Sequence, residues 1–177
     1  MDDRAVERAL ARMAQEIVEE VEDLENLALV GIQRRGVQLA ERMVEEIEKT
    51  EGHRPDFGVM DVTLYRDDLK EIGDQAVVEK TEIPFKVGGR TIVLVDDVLY
   101  TGRTIRAALN EIMDFGRPQR LMLAVLVDRG HREIPIRADF VGKNVPTSQS
   151  QQVKVKVEEL DGVREVLLGE RGDEDEG

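Results

Sequence analysis

A chain of 177 residues with 41% hydrophobic content suits one domain that buries a core. Cysteine is absent and His53 and His131 are the only histidines, which argues against a disulfide framework, thiolate chemistry and a structural zinc site. The net charge of −13 speaks against a polyanionic partner on charge alone, and no run reaches the roughly 18 apolar residues of a membrane helix.

The first segment places Val6, Leu10, Met13, Ile17 and Val21 at steps of three and four, the period of a helix. It is acidic and amphipathic, which fits neither a secretory signal nor an Arg-rich transit peptide, so the expected location is the cytoplasm. Residues Leu27 to Ile32 form a wholly apolar run that stops at Gln33-Arg34-Arg35-Gly36, a buried strand ending in a loop. Val37, Ala40, Val44 and Ile47 then share one face of a second helix, and Phe57 to Tyr65 alternates as a strand.

The stretch from Arg66 to Lys86 is polar and has no clear period, and long irregular segments in compact domains are usually functional or disordered. Gly88-Gly89 turns the chain into the strand Thr91–Val95. Arg103 to Gly116 carries Ile105, Ala108, Leu109 and Ile112 at helical spacing, with Gly116 as the expected C-cap. Arg120 to Asp128 is another near-continuous apolar strand, and shorter strand-like pieces follow from Ala138 onward. Fully apolar strands alternating with helices predict an α/β fold, a mainly parallel sheet covered on both faces, with ligands beyond the carboxyl ends of the strands. One domain over residues 1–169 is expected, with an acidic disordered tail over 170–177.

Three polar loops meet at those strand ends. The one that starts at Asp96-Asp97 leads into a helix near Gly102 to Thr104. Unpaired backbone N–H groups and the dipole of a helix start suit a phosphate, Gly102 permits close approach, and the Thr101 and Thr104 hydroxyls add donors. Two carboxylates beside a phosphate would repel it unless they face another part of the ligand. A ribose 5-phosphate resolves the conflict, with the loop on the phosphate and the acids on vicinal hydroxyls. Two Asp residues alone suit an ordinary strand end and helix cap. A phosphoacceptor aspartate lacks the acidic residues it needs after the first strand, where Gln33-Arg34-Arg35 stand.

The whole run is more specific than its parts. Ile92 to Thr104 is four apolar residues, Asp-Asp, three residues, then Thr-Gly-X-Thr, and it resembles the phosphoribosyl pyrophosphate (PRPP) signature of type I phosphoribosyltransferases. The block Val125 to Ser148, "VLVDRGHREIPIRADFVGKNVPTS", resembles the bifunctional pyrimidine operon regulators with uracil phosphoribosyltransferase activity. The resemblance runs from the first helix through Ser148 and weakens over Arg66 to Lys86 and in the tail.

The resemblance implies a type I phosphoribosyltransferase fold with a small hood and a flexible loop at about 66–86. It implies joining of uracil to PRPP to give UMP and pyrophosphate, with Mg²⁺ held mainly by PRPP rather than by protein side chains. Asp96 and Asp97 serve the ribose, Val98, Leu99, Tyr100, Thr101, Gly102, Arg103 and Thr104 form the nucleotide loop, and Arg34, Arg35 and Gly36 meet the pyrophosphate. Arg66 is the candidate contact from the closing loop. Tyr100 stands where purine-using relatives carry an acid, which suits a pyrimidine, and Val127, Asp128 and Arg129 are placed at the uracil. The family binds the leader of pyrimidine messenger RNA when loaded with UMP, and guanine nucleotides oppose this. Arg12, Arg132, Arg137 and Lys143 are the implied RNA contacts, in a region from Arg117 to Lys143 where six basic residues face three acids. A homodimer or larger homo-oligomer is expected. A transferase without an RNA role remains the alternative, because Ala11, Gln15 and Glu20 stand on the first helix where relatives offer polar or basic groups.

Overall fold

The computed structural model describes residues 1–62 and 80–170. Helix α1 (Asp3–Glu20) starts where the Asp2 carboxylate accepts the Ala5 N–H at 2.8 Å and ends as Val21 turns extended. It buries Val6, Ala9, Leu10, Met13, Ala14 and Ile17. Strand β1 (Leu27–Ile32) is buried throughout, and α2 (Arg35–Glu51) follows until Gly52, at φ +70°, stops it. Then come β2 (Asp56–Met60), β3 (Thr91–Leu99), α3 (Arg103–Asp114), β4 (Arg120–Asp128) and β5 (Phe140–Asn144).

These five strands form one sheet in the order β2-β1-β3-β4-β5, with every neighbouring pair parallel. Side chains alternate across it, so the apolar strands feed two cores. Leu27, Leu29, Val93, Val95, Met122, Ala124 and Leu126 pack with α1 and α2. Ala28, Val30, Ile32, Ile92, Leu94, Leu123 and Val125 face Ile105, Ala108 and Ile112 of α3. Truncating a fully buried member such as Leu29 or Leu94 to alanine costs about 2–5 kcal/mol. A smaller unit follows: β6 (Gln151–Lys156) and β7 (Glu165–Glu170) pair antiparallel, joined through the short helix α4 (Glu158–Asp161).

Several boundaries differ from the sequence reading, each for a tertiary reason. Strand β2 ends at Met60, where its partner β1 ends at Ile32 and the last register pair is Ile32 with Met60, and residues 63–65 of the expected strand lie outside the described residues. Strand β3 continues past Val95 through both acids to Leu99, because β4 runs beside it to Asp128. Helix α3 is capped by Phe115, and Gly116, at φ +144°, follows it and packs against Val87 and Gly88. The end of the segment expected to be flexible is docked: Val59 and Glu82 exchange both backbone hydrogen bonds at 2.8 Å, and Ile83 and Phe85 pack on the second core. The apolar pair at alternate positions supplies the reason. Strand β7 runs through Glu170, and the rest of the expected tail lies outside the described residues.

Candidate active site

The strand order reverses between β1 and β3, the place where open parallel sheets bind ligands beyond their carboxyl ends. The three polar loops noted in the sequence leave β1, β3 and β4 at that end.

Asp96 and Asp97 lie near the carboxyl end of β3, 3% and 8% exposed. The Asp97 N–H donates to Asp96 Oδ1 at 2.9 Å, and the Val98 N–H donates to Asp97 Oδ1 at 2.8 Å. One oxygen of each carboxylate is thereby oriented by the backbone. Val98 packs on the first core and Leu99 is buried in the second, so their side chains serve packing.

Beyond Leu99 the chain turns through Tyr100 and Thr101 to Gly102, whose φ of +93° is the left-handed conformation glycine favours. Arg103 opens α3. Its N–H donates to Thr101 Oγ1 at 3.3 Å, and its guanidinium pairs with Glu133 at 2.8 Å. The first N–H groups of α3 have no carbonyl of their own helix to reach, so Gly102 to Thr104 present donors and a positive dipole end beside the acids.

The loop after β1 approaches β3 closely. A Cβ on Gly36 would stand 2.5 Å from the Val95 carbonyl oxygen and 3.2 Å from Asp96 Cα, and one on Gly31 would meet Val37 Cα at 2.4 Å. Glycine at both positions lets the start of α2 lie against the strand that carries the acids. The Gln33–Arg34 peptide is cis, and the Gln33 N–H donates to the Met60 carbonyl at 2.8 Å. The Arg35 guanidinium reaches α4, with Nε to Asp161 Oδ2 at 3.1 Å and Nη2 to Oδ1 at 2.8 Å. Asp161 was invisible to sequence reasoning, since an acid in an acidic segment carries no sign of its partner. Its carboxyl is held below the usual Asp range: burial alone would raise it, and the Arg35 hydrogen bond, the Val157 N–H and the nearby Arg35 and Lys156 charges outweigh that.

The loop after β4 closes over the loop after β3. Arg129, 5% exposed, lies with its guanidinium carbon 4.0 Å from the Tyr100 ring centre and donates to Thr147 Oγ1 at 3.2 Å and to the Gln151 carbonyl at 2.5 Å. The His131 ring meets the Tyr100 ring edge-on, 6.1 Å between centres. His131 Nε2 lies 2.6 Å from the Thr147 carbonyl oxygen, so that nitrogen carries a proton. Val127 is fully buried, and Asp128 accepts from the Gly130 N–H and from Arg132 Nη2.

The four basic residues implied as RNA contacts divide into two pairs. Arg132 donates to Asp128, to the Ile136 carbonyl at 2.9 Å and to the Tyr100 carbonyl at 2.7 Å. Arg12 pairs with Glu16 and donates to the Val141 and Gly142 carbonyls of β5. Arg137 and Lys143 are exposed, and their side chains make no hydrogen bond or ion pair among the described residues. Arg66 lies outside the described residues. Among those described, no cluster of acids and histidines is arranged to hold a metal, and no helix is long and apolar enough to cross a membrane.

The sequence profile of the phosphoribosyl transferase domain matches residues 1–161. The bifunctional protein PyrR of Thermus thermophilus is 63% identical over 164 residues, 93% of this chain and 91% of that one. That of Pelotomaculum thermopropionicum is 55% identical over 168 residues, 95% of this chain and 93% of the other. Among solved structures, a hypoxanthine-guanine phosphoribosyltransferase from Bacillus anthracis superposes with a TM-score of 0.65 at 15% identity, covering 82% of this chain and 83% of that one. A hypoxanthine phosphoribosyltransferase from Staphylococcus aureus gives 0.66 at 17% identity, covering 85% and 77%. At such identities the two structures speak to the fold alone.

Proposed function

The chain belongs to the phosphoribosyl transferase domain family, and on that basis we propose a uracil phosphoribosyltransferase that is also a UMP-responsive regulator, binding the leader messenger RNA of pyrimidine genes. The observation that supports it most is the buried Asp96-Asp97 pair at the end of β3, set directly before the Gly102–Arg103 start of α3 and against Gly36. Acids for hydroxyls and helix-start donors for a phosphate lie within one short stretch of chain.

In the reaction the bond from ribose C1 to the pyrophosphate oxygen breaks, a bond from C1 to uracil N1 forms, and the N1 proton is released. Positive charge develops on the ribose and negative charge on the leaving group, so preorganised donors at the leaving group lower the barrier. Arg34, Arg35 and Gly36 surround the pyrophosphate. Asp96 and Asp97 accept from the ribose hydroxyls, with orientation set by the N–H groups of Asp97 and Val98. Thr101 to Thr104 hold the 5-phosphate. Bound together with PRPP, Mg²⁺ would supply neutralisation of the pyrophosphate charge, and Asp96 and Asp97 would hold the hydroxyl side of that complex. Uracil sits by Tyr100, where the absence of an acid suits a pyrimidine, near Val127 to Arg129. Arg66, outside the described residues, stays the candidate pyrophosphate contact that the family resemblance implies.

For RNA, Arg137 and Lys143 supply the phosphate contacts, because the donors of Arg12 and Arg132 are engaged within the protein. Guanine nucleotides compete with UMP at the same site. Exposed Leu160, Val163, Leu167 and Leu168 on the small two-stranded unit support self-association to a homodimer or larger assembly. One domain extends through residue 169, in a cytoplasmic protein.

Two assays test this. UMP formation from uracil must depend on PRPP and Mg²⁺ and fall at least about tenfold in Asp97→Asn; no UMP from the wild type, or full turnover in the variant, refutes the transferase assignment. A gel shift with a pyrimidine leader transcript must strengthen with UMP. Binding that ignores UMP across a salt series refutes the regulatory half.

A further inference from the structure

The start of α2 is held from two sides. On one side Gly36 lies against the Val95 carbonyl with no space for a Cβ. On the other, the planar Arg35 fork takes both oxygens of Asp161 at 3.1 and 2.8 Å, a bidentate geometry that fixes the guanidinium in orientation as well as distance. Asp161 is itself anchored, since its Oδ2 also accepts the Val157 N–H at 2.8 Å and so closes the turn of α4. Two helical turns along α2, on the same face, Arg42 pairs with Glu159 at 2.7 Å. The small unit is thus bolted to the helix whose first turn forms the loop after β1.

We propose that Asp161 is a positioning residue for pyrophosphate: by clamping Arg35 it fixes the backbone of residues 34–36 so that their N–H groups and the α2 dipole, rather than the Arg35 side chain, receive the leaving group. This rests on the transferase reading above. The clamp neutralises Asp161, which would otherwise repel a pyrophosphate arriving at the helix start. It also explains how a residue 126 positions from Arg35 in the chain bears on the chemistry. UMP lacks the pyrophosphate and uses the loop after β3, so the clamp acts on one ligand and spares the other.

The test is calorimetric titration of the full chain with Mg²⁺-pyrophosphate and, separately, with UMP. Asp161→Asn keeps the shape and removes the charge, and should weaken pyrophosphate about tenfold while leaving UMP affinity within about twofold. In turnover the PRPP KM should rise about tenfold with kcat changed less. Asp161→Glu, which restores the charge on a longer arm, should recover part of the loss, and it carries the test if the Asn variant fails to fold. Glu159→Gln, which opens the neighbouring bridge, should change neither affinity. Unchanged or tighter pyrophosphate binding in Asp161→Asn overturns the proposal, as does a parallel loss of UMP affinity or no pyrophosphate binding by the wild type. Failure of the transferase reading appears separately, as absence of UMP formation by the wild type that still binds pyrophosphate.

Discussion

Arg132 donates from Nη1 to the Tyr100 carbonyl at 2.7 Å, joining the loop after β4 to the loop after β3. The same guanidinium holds Asp128 through Nη2 and the Ile136 carbonyl through Nε. The Thr101 carbonyl reinforces the seam by accepting from the Glu133 and Ile134 N–H groups at 2.9 and 3.1 Å. A residue that the family resemblance suggests for RNA is therefore an internal tie between the two loops of the site.

Arg132→Gln should lower stability by about 2–3 kcal/mol, because the side chain is only 23% exposed and its loss leaves Asp128 and two carbonyls short of a donor. Urea unfolding measures this. A variant as stable as the wild type would show that the tie is dispensable.

Gly36→Ala should cost at least about 1–3 kcal/mol, the range for overpacking against atoms that cannot rotate away. The obstacle is the Val95 carbonyl and Asp96 Cα, both backbone, so relief requires moving α2 off β3. The PRPP KM should rise as well. Gly52→Ala provides a contrast: its site is open and only its φ of +70° opposes the substitution.

Acid should loosen the contact between α2 and α4. Asp161 titrates below its ordinary value in the folded protein, so its contribution to stability is fully present above the unfolded pKa. It is lost as pH falls through the folded value, in the window below the usual Asp range. Unfolding free energy followed from about pH 5 to about pH 2.5 should show an acid-limb slope that is shallower in Asp161→Asn than in the wild type. Equal slopes would remove Asp161 from the account.

Arg137→Gln and Lys143→Gln should each weaken leader RNA binding at saturating UMP and reduce the salt slope by about one unit, as expected for a lost phosphate contact. Transferase turnover should stay unchanged, since both residues are exposed and outside the loops around Asp96 and Gly102. Parallel losses in Arg12→Gln at the same salt slope as the wild type would indicate an indirect effect through β5, whose Val141 and Gly142 carbonyls it holds.

The order of elements, the parallel sheet and the heart of the site are legible in the residues without coordinates. Burial period and glycine placement are local properties, and the acids, Gly102 and Thr104 lie within nine residues of one strand–loop–helix unit. Their mutual geometry follows from that unit almost regardless of the rest. Which charges face inward is settled only when distant segments meet. Arg35 finds Asp161 across 126 residues, Arg12 finds the carbonyl of Gly142 across 130, and Arg132 finds that of Tyr100 across 32. A backbone carbonyl belongs to every residue, so no side-chain pattern marks it as an acceptor. An arginine bound to one therefore reads in sequence like an arginine free for RNA.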